Sequence, residues 1–126
     1  EKNSETVDSA GDHLQRALSY IGSHDAQVLT TEDVCREVGV SRSWLYRIFM
    51  KEMGIPPVRY LTMQRVNRAC ALLGESHMRI SEIAYMVGYN DSLYFSRVFR
   101  SLTGVSPAAY RKARMNAEGK AGRAAP

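Results

Sequence analysis

A chain of 126 residues with a hydrophobic content of 44% has room for one domain or two small ones, each able to bury only a modest core. Its apolar runs are far too short to span a membrane, no signal-peptide pattern opens it, and two cysteines are too few for a disulfide scaffold, which fits a reducing, cytoplasmic setting. The net charge of +4 conceals an asymmetry: residues 1–40 sum to −5 and residues 41–126 to +9, and 13 of the 17 basic side chains are arginine, whose planar fork suits phosphate and guanine.

The chain opens on Glu1 rather than methionine, which suits a piece of something longer. Residues 1–7 are polar and predict a frayed stub. From about Asp8 to Ser23, Leu14, Ala17, Leu18 and Ile21 recur at helical spacing and predict a first amphipathic helix. Thr30 or Thr31 can cap a second, with Asp33 placed for a capping box after Thr30; it stops at Gly39, which tolerates the left-handed conformation of a helix end. Cys35 falls among its apolar positions and reads as a buried structural thiol. Ser41 caps a third helix over about 42–53, and Gly54 stops it. Pro56 or Pro57 opens the fourth and longest, to about Leu73.

The scheme then repeats. A short helix spans about Ile80 to Val87, Gly88 ends it, and Asn90 or Asp91 caps a helix running to about Leu102. Gly104 closes that one, and Ser106-Pro107 starts a last helix to about Arg114. Beyond Met115, NAEGKAGRAAP is small and polar and predicts disorder. No segment alternates like a strand. The expected fold is all-α, with seven helices: a first helix-turn-helix subdomain over 8–54, a linker helix over 55–74, a second subdomain over 75–114, and a disordered tail over 115–126.

The repetition is explicit in the residues. VCREVGVSRSWLYRIFMKEMGIPPVRY from Val34 returns as IAYMVGYNDSLYFSRVFRSLTGVSPAAY from Ile83. Val38-Gly39 returns as Val87-Gly88, Arg47 as Arg97, Phe49 as Phe99, and Gly54, Pro57 and Tyr60 as Gly104, Pro107 and Tyr110. The offset is 49 before the turn and 50 after it, so the second copy carries one extra turn residue. Two copies are too few for a solenoid. A short helix, a glycine-bearing turn and a capped second helix form a helix-turn-helix, whose second helix fits the major groove of DNA.

At about 100° per residue, Leu45, Ile48 and Phe49 fall on one side of the third helix, and Ser43, Arg47 and Met50 fall opposite, with Tyr46 and Lys51 on the flanks. In the helix after Asn90, Phe95, Val98, Phe99 and Leu102 face inward, while Leu93, Arg97 and Arg100 face out, flanked by Ser96 and Tyr94. The repeated arginine therefore points to solvent in both copies. Packing does not account for that, whereas a guanidinium reaching a base or a phosphate does. Arg42 and Lys51 suit phosphate contact, and Asn90, Tyr94 and Arg100 join them in the second copy. Ser43, Ser92 and Ser96 can meet base edges or phosphates. Leu93 either touches a thymine methyl or is a tolerated exposed leucine. Trp44 and Tyr94 share a wheel position that suits buttressing the brace helix better than stacking on bases. A linker helix of ~17 residues spans about 25 Å. That length suits two recognition helices one DNA turn, ~34 Å, apart, on duplex that bends if the linker is stiff.

From about Leu14 to Arg114 these residues resemble the DNA-binding domain of the AraC/XylS family of bacterial transcription regulators, most specifically over IAYMVGYNDSLYFSRVFRSLTGVSPAAYR. The resemblance implies sequence-specific binding to double-stranded promoter DNA, contact with RNA polymerase, usually in activation, and a cytoplasmic, nucleoid-associated location. It places the base-reading faces on Ser43, Tyr46 and Arg47, and on Ser92, Leu93, Ser96 and Arg97. Ser92-Leu93 departs from the commoner proline or glutamine followed by a small polar residue. A separate sensing or dimerisation domain is expected outside this chain, which alone is expected to be monomeric. Two other readings compete with this one. A protein-docking module would use outward Tyr46, Met50 and Leu93. An enzyme would need chemistry the sequence does not supply: Cys35 and Cys70 lack Cys-x-x-Cys spacing, the three histidines form no ligand motif, and no glycine-rich phosphate loop is present. No cofactor or metal is expected.

Overall fold

The structure, a computed structural model, describes residues 10–124, with side chains through residue 118. The stub expected over 1–7, positions 8–9 of the expected opening helix, and the last two residues of the tail lie outside the described residues. All regular structure among the described residues is helical: α1 (Ala10–Ser23), α2 (Thr31–Val38), α3 (Arg42–Met53), α4 (Pro57–Glu75), α5 (Ile80–Met86), α6 (Ser92–Thr103) and α7 (Pro107–Ala124). The all-α expectation and the seven helices hold. None of these helices is long and apolar enough to cross a membrane.

The chain divides into two compact units, Glu1–Gln64 and Arg65–Pro126, with the boundary inside α4. The first unit closes on Ala17 and Ile21 of α1, Val34, Cys35 and Val38 of α2, Leu45 and Phe49 of α3, and Leu61 from the opening turns of α4. The second closes on Val66, Ala69 and Leu73 from the rest of α4, Ile83 and Ala84 of α5, and Phe95 and Phe99 of α6. The helix expected as a linker is thus built into both cores, a finding its moderate apolar periodicity did not foretell.

The repeated residues that are not arginine are explained by packing. Phe49 and Phe99 are each fully buried. Tyr60 lies 5.7 Å from the Phe49 ring, and Tyr110 lies 5.6 Å from the Phe99 ring, distances at which tilted and edge-on aromatic pairs attract. Gly54 and Gly104 close α3 and α6 at φ 76° and 88°, the left-handed region that costs other residues dearly.

The expected disorder beyond Met115 is corrected: α7 runs on to Ala124. An established helix only has to propagate, without the cost of a new nucleus. Between Met115 and Ala124 three Ala with one each of Glu, Lys and Arg, good helix formers, stand against Gly119 and Gly122, and Arg114 faces Glu118 one turn on at 3.8 Å. The expected end of the second brace helix shifts by one residue: Val87 caps α5, and Gly88 takes φ 106° beyond it.

Candidate nucleic-acid interface

Each unit presents a capped helix behind a brace and a turn. Ser41 Oγ accepts the Trp44 N–H at 3.1 Å, opening α3. In the second copy it is Asp91, not Asn90, that caps: its Oδ1 accepts from the Leu93 and Tyr94 N–H groups at 2.9 and 3.3 Å. Asn90 is left exposed at the turn. The braces are fixed in turn. Thr30 and Asp33 form a complete capping box on α2. On α5 Glu82 accepts from the Arg79 N–H at 2.9 Å, but an arginine side chain has no acceptor to complete the reciprocal bond.

On α3, Leu45, Ile48 and Phe49 are buried, and Arg42, Ser43, Tyr46, Arg47, Met50 and Lys51 are exposed. Arg42, Ser43, Tyr46 and Arg47 line a cleft of about 670 Å³ together with Thr31, Pro56, Pro57 and Val58. On α6, Phe95 and Phe99 are buried and Val98 and Leu102 half-buried against the core. Leu93, Tyr94, Arg97 and Arg100 are exposed; Leu93 reaches 73% exposure. Ser92 and Ser96 are half-buried and sit on the flank of that face.

Three arrangements in the first unit were not legible in the sequence. Arg42 Nη1 donates to the Glu32 carboxylate of α2, an ion pair with both partners more than half exposed. Arg47 Cζ lies over the Trp44 ring, 5.1 Å from its centre. The Trp44 indole N–H donates to His13 Nδ1 of α1 at 2.8 Å, so Trp44, which packs against the core that α1 and α2 share, is tied to the first helix by a hydrogen bond. Its counterpart Tyr94 lies 5.9 Å from Tyr89 in the turn. Glu32 stands ten residues from Arg42 and His13 thirty-one from Trp44, beyond the reach of helical periodicity, whereas Arg47 and Trp44 are neighbours at i, i+3 whose side-chain rotamers the periodicity does not set.

Both cysteines are free; burial pushes each thiol's pKa up, against nearby Arg42 for Cys35 and against the Tyr110 hydrogen bond for Cys70. Neither is primed as a nucleophile, which needs thiolate. Among the described residues no group of three His, Cys, Asp or Glu side chains is placed to hold a metal ion.

A family model described as a helix-turn-helix domain matches residues 34–113. The lactose operon transcription activator of Staphylococcus xylosus is 37% identical over 105 residues, covering 83% of this chain and 38% of that protein. A crystal structure of a transcriptional regulator from Chromobacterium violaceum, described as having an AraC-type DNA-binding domain, superposes with a TM-score of 0.77 at 30% identity, covering 83% of this chain and 94% of that one. The DNA-binding domain of AdpA, a global transcriptional factor solved in complex with a target DNA, superposes with a TM-score of 0.71 at 30% identity, covering 79% of this chain and 90% of that one. The chain spans little more than a third of the length of the curated relatives it matches.

Proposed function

This chain belongs to the AraC-type helix-turn-helix family of transcription regulators, and from that premise we propose that it recognises a specific double-stranded promoter sequence. In this reading α3 and α6 each enter a major-groove segment, and the two segments succeed one another along the duplex. The observation that carries it is the recurrence of an exposed arginine, Arg47 and Arg97, at the same place on two capped second helices whose inward faces are buried. Guanidinium forks donating to guanine O6 and N7 supply base discrimination. Ser43 and Tyr46 stand beside Arg47, and Ser92, Leu93 and Ser96 beside Arg97, completing the two reading faces. Arg42, Lys51, Asn90, Tyr94 and Arg100 take the phosphates, which set register and carry no sequence information. The role is binding without catalysis, in the cytoplasm on nucleoid DNA. It includes RNA polymerase as a second partner and a chain that is monomeric by itself.

A gel-shift series on fragments upstream of neighbouring genes tests the reading. One fragment shifts specifically, and affinity falls steeply between 50 and 200 mM salt as counterions cease to drive binding. No specific shift at any salt moves the function to protein docking through Tyr46, Met50 and Leu93.

A further inference from the structure

We infer that Trp44 is a positioning residue for Arg47, and that His13 sets the plane of the Trp44 ring. The inference rests on the reading that Arg47 contacts a base. Indole N–H is a donor only, so the 2.8 Å bond from Trp44 Nε1 makes His13 Nδ1 an acceptor and puts the imidazole proton on Nε2. His13 is 3% exposed, so its ring cannot swing, and the two rings meet edge-on at 87°. The indole therefore keeps one orientation on the surface of α3. One helical turn on, Arg47 Cζ sits 5.1 Å from that ring's centre. A guanidinium held over a ring by cation–π attraction makes no hydrogen bond there, so its N–H donors stay available to a guanine. An arginine already parked over a ring loses less side-chain freedom on binding than one waving in water.

The second unit lacks the device. Tyr94, at the equivalent position, is 55% exposed and its ring is beside Tyr89. Among the described residues Arg97 makes no hydrogen bond, ion pair or ring contact. The first reader is thus preorganised and the second is not, so the base facing Arg47 is specified more sharply than the base facing Arg97.

Selection from a randomised double-stranded DNA pool with the whole chain tests this, scored position by position. Arg47→Ala identifies the base position that Arg47 reads. Trp44→Ala flattens the preference at that position by about two- to fivefold, the strength of one exposed cation–π contact, and leaves other positions intact. Trp44→Phe, which keeps a ring face without the N–H, retains part of the preference, and His13→Gln weakens it while sparing the Arg97 position. In an Arg47→Ala background Trp44→Ala adds nothing. An unchanged preference in Trp44→Ala overturns the inference, and so does a uniform loss at every position. If Trp44→Ala does not fold, Trp44→Phe and His13→Gln decide by the same criterion. A motif unaltered by Arg47→Ala removes the base contact itself and the inference with it, an outcome distinct from an altered motif that Trp44 does not modulate.

Discussion

The repeat sorts its residues by cause. Phe49 with Tyr60, and Phe99 with Tyr110, recur because each unit needs an aromatic pair to close its core. Arg47 and Arg97 recur on the solvent side, where no core demands them. Arg47→Ala and Arg97→Ala should each lower specific affinity by about 1–3 kcal/mol, the value of a bidentate base contact, without a change in melting temperature. Titration of the selected site and a thermal scan check both halves of that statement. Arg42 carries a different expectation. Its Glu32 partner offsets a cation that the proposed function sends to phosphate, and an exposed pair of this kind holds weakly. Glu32→Gln should therefore strengthen binding to any duplex and steepen its salt dependence, with stability nearly unchanged; a weaker or flatter response means Arg42 does not face DNA. Which side chains point outward on α3 and α6 was legible because helical period alone fixes sides. What they touch was not, since Glu32 and His13 reach Arg42 and Trp44 through the packing of α1 and α2 against α3, and the rotamers that set Arg47 over Trp44 are not fixed by the period.

Helix ends were the most legible feature of the elements, since capping needs a specific side chain at a specific place. Thr30, Ser41, Asp91 and Ser106 each accept backbone N–H groups at the start of the helix they precede. Gly104 takes φ 88°, and a Cβ there would meet no atom within 4 Å, so the cost of Gly104→Ala is conformational alone, about 1–2 kcal/mol, visible as a lower melting temperature. The brace helices add a pH dependence. The Thr30 backbone N–H, then the Thr30 hydroxyl, hold the Asp33 carboxyl below its ordinary range, and the Arg79 backbone N–H does the same for Glu82. A carboxylate with a depressed folded pKa stabilises fully above its unfolded pKa, and the contribution is lost as pH falls through the folded one. Fraying of α2 and α5, followed by amide exchange, should therefore set in only below about pH 4, and Asp33→Asn should remove the acid dependence of α2 while leaving that of α5. The course of α7 beyond Met115 was illegible because the residues signal no core, while propensity extends a helix without one. Its anchoring was hidden too: Arg111 of α7 donates to the Leu73 and Ser76 carbonyls at 3.0 and 3.2 Å, closing the end of α4 from a distance of more than thirty residues.

For the whole molecule, the acidic share of the sequence falls on α1, α2 and the residues before them, and the basic share on the helices that follow. That asymmetry concerns binding and not folding, because charge at this scale governs partners and association rates. The two hydrophobic clusters share no residue, so a core substitution in one unit can be used to ask what that unit contributes to binding. Phe99 is completely buried, and Phe→Ala at such a site costs about 3–5 kcal/mol, comparable to all the stability a core of this size supplies. Phe99→Ala should broaden or lose the NMR signals of α5–α7 while those of α1–α3 persist. On DNA the variant should lose more affinity than Arg97→Ala, because Arg100 and the rest of the second face leave with it. The salt response separates this from a simple loss of one base contact. Each neutralised phosphate contributes about −0.9 to the slope of log K against log salt, so unfolding the unit whose charged phosphate contact is Arg100 should flatten the slope by about one. A slope equal to that of the intact chain would mean that α6 never faced the duplex, and the two-reader account would reduce to one helix, α3.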